Sequence, residues 1–262
     1  MDNRPIGIFD SGVGGLSILR EIKKLLPKEN FIFVADQKNV PYGGKTEGQL
    51  QDLASKICTF LLSNDVKAIV IACNTATVYA IDYLRTQFII PIIGTVPVIK
   101  TIAKLSKNKK AAVFATPATS RSKYLNNLIE KFGNGTKIYK IGGTGLEELI
   151  EDVDSKDRQI NKVLKKYLDP LIAKGVDAIA LGCTHYPFLK ERIQKIVGKK
   201  VLVVDSGGAV ARRVKAILTN NKILGNKREE DFYYTTGDQS KFRMVSEILL
   251  KKKLQNVDYL TL

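Results

Sequence analysis

Ala68-Ile69-Val70-Ile71-Ala72-Cys73-Asn74-Thr75 and Ala178-Ile179-Ala180-Leu181-Gly182-Cys183-Thr184-His185 are two versions of one pattern, 110 positions apart. Each is an apolar run of strand length, then a cysteine, then two polar residues suited to opening a helix or turn. A short run without apolar/polar alternation marks a strand buried on both faces, as in a parallel sheet covered by helices. A looser pair, Ile8-Phe9-Asp10-Ser11 and Val113-Phe114-Ala115-Thr116, stands 105 positions apart, and each again ends in a hydroxyl residue. Repeated supersecondary units imply two related halves.

Outward from these segments, β-branched runs alternate with longer amphipathic stretches, the pattern of βα units. Strands are predicted near Ile6–Asp10, Phe31–Ala35, Lys67–Ala72, Pro91–Thr95, Ala111–Ala115, Thr136–Ile141, Asp177–Gly182, Lys200–Val204 and Asp231–Thr235. Gln49 to Leu62 reads as a helix with Leu50, Leu53, Ile57, Phe60 and Leu61 on one face. The expected class is α/β: two pseudo-symmetric, open, mainly parallel-sheet domains. One spans residues 1–96 plus 208–262, the other 97–207. Ligands of open α/β sheets bind beyond the carboxyl ends of the strands. Both cysteines are therefore expected to face a substrate in a cleft between the halves.

Composition narrows the function classes. With 262 residues, 44% hydrophobic, 26% charged and 8% aromatic, the chain has an ordinary globular make-up. Its longest apolar stretch, residues 88–98, is interrupted by Pro91, Thr95 and Pro97 and is too short for a membrane helix. Met1-Asp2-Asn3-Arg4-Pro5 lacks the cationic and apolar regions of a secretory leader, so the expected location is the cytoplasm. The three cysteines are then free thiols. One histidine, with no CxxC and no HExxH, argues against a zinc site. The net charge of +16 raises nucleic acid as a partner. Its distribution lowers that expectation: lysine runs such as Lys107 to Lys110 and Lys251 to Lys253 carry no interleaved aromatics and no known nucleic-acid motif.

Cys73 and Cys183 carry the chemistry. Inverting a stereocentre that bears an exchangeable hydrogen requires a base on one face and an acid on the other, and a tuned thiol performs either role. The competing reading makes each a small buried core residue; matching strand ends and polar followers favour function, whereas Cys58, on the apolar face of its helix, reads as core. His185, two residues after Cys183, is placed to stabilise a thiolate or tune proton transfer. Asp10, ending the first strand, is placed to accept a proton or orient an ammonium group, or else simply forms a turn.

Asp10-Ser11-Gly12-Val13-Gly14-Gly15-Leu16-Ser17 imitates a dinucleotide fingerprint, with Asp36 in nearly the right place, but Ser17 stands where the third glycine belongs. A small anion site at a helix N-terminus fits better. Val40-Pro41-Tyr42-Gly43-Gly44-Lys45-Thr46 is a loop placed to cover the same region. Thr116 and Thr119 offer hydroxyls at a helix start, with plain N-capping as the alternative.

Together, Phe9-Asp10-Ser11-Gly12-Val13-Gly14-Gly15-Leu16, Pro41-Tyr42-Gly43, Ala72-Cys73-Asn74-Thr75-Ala76 and Leu181-Gly182-Cys183-Thr184-His185-Tyr186-Pro187 resemble the glutamate racemases, cofactor-independent members of the Asp/Glu racemase superfamily. The resemblance spans residues 9 to 187. It implies interconversion of L- and D-glutamate without a cofactor, supplying D-glutamate for bacterial peptidoglycan. By the same resemblance Cys73 and Cys183 are the acid/base thiols, assisted by Asp10 and His185. Substrate contacts then fall on Asp10, Ser11, Tyr42, Gly43, Asn74, Thr75, Thr116, Thr119, Thr184 and His185. Glu151 looks like a further family acidic position, and homodimers are expected. One departure is Phe114-Ala115-Thr116-Pro117-Ala118-Thr119, with alanines where many members have glycines. Two alternatives stay open: aspartate racemisation through the same thiols, and a basic binding protein on a degenerate enzyme fold, against which the intact Asp10, Cys73, Cys183 and His185 argue.

Overall fold

The computed structural model describes residues 1–152, 154 and 157–262. In chain order its strands are β1 Ile6–Asp10, β2 Phe31–Ala35, β3 Ala68–Ile71, β4 Ile92–Gly94, β5 Lys110–Ala115, β6 Lys137–Gly142, β7 Ala178–Gly182, β8 Leu202–Val204, β9 Phe232–Thr235 and β10 Val257–Tyr259. The first nine lie within two residues of their predicted positions, and β10 is additional. They form two sheets in two compact units.

The first unit comprises Met1–Thr95 and Gly207–Leu262. Its sheet has the order β10-β9-β2-β1-β3-β4, and every pairing is parallel. Each residue of β1, β2 and β3 is buried, as their uninterrupted apolar sequences require of strands covered on both faces. The helix Glu47–Ser63 opens with a capping box between Thr46 and Gln49 and buries Leu50, Ala54, Ile57, Cys58 and Leu61. Leu53 and Phe60, expected on that face, are half-buried at its margin. The register aligns Phe9 with Ile71 and Asp10 with Ala35, so β1, β2 and β3 end together. Gly15 makes this end compact: a Cβ there would stand 2.6 Å from Asp10 Cβ and 3.1 Å from Ala72 Cβ.

The second unit, Val96–Ser206, carries the order β6-β5-β7-β8, also parallel throughout. This is the order β2-β1-β3-β4 over again, so the repeat in the sequence is a repeat of topology. Its core packs Ile99, Ile102 and Leu125 on Ala111, Val113, Ala115, Ala178 and Ala180, where small strand residues admit the covering helices closely. Phe114 pairs with Leu181 and Ala115 with Gly182, placing Thr116 and Cys183 just beyond adjacent strand ends. The edge strand β6 is half-exposed and carries Lys137 and Lys140, charges that discourage edge-to-edge pairing. Among the described residues no helix is long and apolar enough to cross a membrane.

Candidate active site

In the first unit, β3 delivers Cys73 to the N-cap of the helix Asn74–Gln87, where its Sγ accepts a hydrogen bond from the Ala76 amide at 3.4 Å. The side chain is 5% exposed, and Ser11 Oγ lies 3.9 Å from the sulfur. Burial pushes the Cys73 thiol up to about 12, and the Asp10 charge adds to this, while the Ala76 amide and Ser11 oppose it. Asp10 is fully buried at the end of β1, and its Oδ2 accepts from the Gly12 amide at 3.2 Å.

Asn74 and Thr75, buried in the first turn of the helix, complete this group. Neither the Asn74 side-chain nitrogen nor its oxygen has a hydrogen-bond partner, although both are buried. An orphaned buried amide is costly and marks a position that needs a reason beyond packing. Tyr42 sits in the 3-10 turn Tyr42–Gly44, packed on that helix, with Gly43 half-buried beside it. Its hydroxyl donates to Asp36 Oδ2 at 2.6 Å, and burial holds it well above a phenol's ordinary range. Asp36, the residue that imitated a ribose-binding acid, also accepts from Thr236 Oγ1 at 2.7 Å and Asn39 Nδ2 at 3.0 Å. It clamps the Tyr42 loop to the sheet.

In the second unit, β7 delivers Cys183, 5% exposed, into a different setting. Its thiol donates to Glu147 Oε1 at 3.6 Å and lies 3.7 Å from His185 Nδ1. His185 Nε2 in turn lies 2.8 Å from Glu151 Oε1, with both side chains buried. Tyr186, at the head of the 3-10 turn Tyr186–Leu189, donates its hydroxyl to the same Glu147 Oε1 at 3.4 Å. Thr184 is buried in the intervening turn. Thr116 N-caps the helix Pro117–Arg121, accepting from the Thr119 amide at 3.1 Å and donating to the Thr119 hydroxyl at 3.1 Å. The capping alternative therefore describes one use of that hydroxyl.

Each half thus gathers its expected residues around its own thiol: Asp10, Ser11, Asn74 and Thr75 with Cys73, and Thr184 and His185 with Cys183. Cys58 is wholly buried in its helix, and burial alone lifts its thiol to about 12, which is the core role read for it. Glu147 was not anticipated. It stands with Glu148 in the first turn of the helix Leu146–Ile150, where acidic residues ordinarily just complement the helix dipole. The available signal was its spacing of four from Glu151, which puts both carboxyls on one helical face. Among the described residues no group of three or more His, Cys, Asp or Glu side chains is arranged to hold a metal ion.

The Asp/Glu/Hydantoin racemase family model matches residues 6–214. A glutamate racemase of Herpetosiphon aurantiacus is 39% identical over 251 residues, covering 95% of this chain and 99% of the relative. Among solved structures, a glutamate racemase isoform of Bacillus anthracis superposes with a TM-score of 0.90 at 30% identity, covering 100% of this chain and 99% of its own. The Francisella tularensis glutamate racemase in complex with D-glutamate gives 0.87 at 33% identity, covering 100% and 98%. Two thiols at equivalent strand ends, a repeated sheet and this agreement along nearly the whole chain make the protein a member of the glutamate racemase family.

Proposed function

We propose that this protein interconverts L- and D-glutamate by direct proton transfer at the α-carbon, with Cys73 and Cys183 as the acid/base pair and no cofactor. The observation that carries the reading is the recurrence of a buried thiol at the same strand end of both sheets, each beside carboxyl or imidazole groups able to adjust its proton.

In each turnover one thiolate removes the α-proton from one face of the substrate and the opposite thiol returns a proton to the other face. The two sulfurs then exchange roles. A buried thiol is a poor anion in the free protein, so the substrate must help create the thiolate, and Asp10 and His185 are the groups beside each sulfur that take up or stabilise the displaced proton. The α-hydrogen is barely acidic, and its removal needs a site that excludes water and directs hydrogen-bond donors at the carboxylate. Ser11, Asn74, Thr75 and Thr184 supply such donors, with Tyr42, Gly43, Thr116 and Thr119 as further contacts. The unpartnered Asn74 amide supports this assignment. The reaction supplies D-glutamate to peptidoglycan synthesis in the cytoplasm, with the enzyme acting as a homodimer.

The test incubates purified, cofactor-free protein with L-glutamate, and separately L-aspartate, in deuterated water, following optical rotation and α-deuterium. Glutamate inversion accompanied by exchange supports the reading. Activity on aspartate alone keeps the thiol chemistry and replaces the substrate, and no exchange with either overturns it.

A further inference from the structure

The repeat aligns Asp10 with Ala115, so the strand that arms the Cys73 half with a carboxylate leaves the Cys183 half without one. The structure supplies one from elsewhere. Glu147 comes from the helix Leu146–Ile150, is 6% exposed, and turns Oε1 toward Cys183 Sγ. The Tyr186 hydroxyl donates to that same oxygen. Gly143 makes room for the arrangement, since a Cβ there would stand 3.0 Å from the Tyr186 hydroxyl and 2.6 Å from the Phe114 ring. An oxygen that accepts from two donors presents lone pairs to the sulfur.

We propose that Glu147 is a positioning residue for Cys183, whose Oε1 accepts the thiol's hydrogen bond and keeps Cys183 protonated in the unliganded protein. This rests on the two-thiol reading above. An ionised Glu147 carboxylate repels a Cys183 thiolate facing that oxygen, so the contact favours the thiol form. Burial raises the Glu147 carboxyl and the neighbouring His185 pulls it back part of the way. Among the described residues, other titratable groups around this cluster include Glu151, hydrogen-bonded to His185; Glu148, next in the same helix; Tyr186; and Tyr167 of the helix Asp157–Ala173.

The experiment measures the rate of carboxymethylation of each cysteine by iodoacetate at fixed pH values between 7 and 10, on the rising limb where a lower inflection reads as a proportionally faster rate, resolved by peptide mass spectrometry, in the unsubstituted protein and in Glu147→Gln. Cys73 is the internal control. In Glu147→Gln the Cys183 inflection is expected to fall by about one pH unit, a roughly tenfold gain in reactivity below the inflection, with the Cys73 curve unmoved. Tyr186→Phe removes the competing hydrogen bond from Oε1 and is expected to move the Cys183 inflection upward. It also carries the test by itself if Glu147→Gln does not fold. A Cys183 curve that stays in place, or that moves together with the Cys73 curve, overturns the proposal. Because the readout is alkylation, it is independent of racemase activity, which the deuterium experiment judges separately.

Discussion

The Cys73 and Cys183 halves share a sheet order and a strand-end thiol, yet they treat sulfur differently. Cys73 sits at a helix N-terminus, accepting from the Ala76 amide with Ser11 close by, while Asp10 opposes its ionisation. Cys183 donates to a carboxyl and lies beside an imidazole that is anchored to a second carboxyl. Duplication of a βα unit copies backbone geometry, since strand ends and helix starts follow from hydrophobic pattern and capping. The charge environment is not copied, because it comes from whichever side chains the connecting segments bring up.

The largest test removes one sulfur at a time. Cys73→Ser and Cys183→Ser are each expected to lower racemisation by about 10²–10⁴-fold, the usual worth of a positioned acid or base. Residual α-deuterium exchange should be confined to one enantiomer in the first variant and to the other enantiomer in the second. Exchange of the same enantiomer by both would break the assignment of the thiols to opposite faces.

The His185–Glu151 contact belongs to the Cys183 half alone. Removing one member of a buried pair strands the other, so Glu151→Ala is expected to lower the unfolding free energy by about 3 kcal/mol in urea titrations. Adding His185→Ala should recover part of that loss, and strict additivity of the two would show that the contact contributes little.

The alkaline limb of stability sharpens the contrast between burial alone and burial beside a charge. Cys58 and Cys73 both have folded-state values raised to about 12 from an ordinary 9.0. The unfolded chain therefore loses these protons first, and stability falls as pH rises from about 9 toward 12. Cys58→Ala should flatten that fall by one proton, about 1.4 kcal/mol per pH unit, in chemical denaturation followed across the range. An unchanged slope would mean that Cys58 ionises in the folded protein as readily as in the unfolded chain.

The smallest effect separates capping from binding at Thr116. Thr116→Ala should cost about 1 kcal/mol as a lost N-cap. A rise in KM for glutamate well beyond that seen with Thr46→Ala, a cap at the start of the helix Glu47–Ser63, would assign the Thr116 hydroxyl to the substrate as well.

By itself the sequence determined the α/β class, nine strand positions and the two thiols, because uninterrupted apolar runs and the repeat of Ala-Ile-x-x-x-Cys are local signals. Asp10, Ser11, Asn74, Thr75, Thr184 and His185 were legible for the same reason: each adjoins a strand end in the chain. β10 was not, since three residues, Val257–Tyr259, are too few to show a period and become a strand only by pairing with β9. Asp36 read as a dinucleotide decoy until its contacts with Tyr42 and Thr236, 6 and 200 positions away, showed it to be a clamp. Glu147, in the first turn of a short helix, carries no local mark of its contact with Cys183. Only the tertiary structure carries it across 36 positions to Cys183, because the turn through Gly143 and the packing of Phe114 against Tyr186 decide where that helix points.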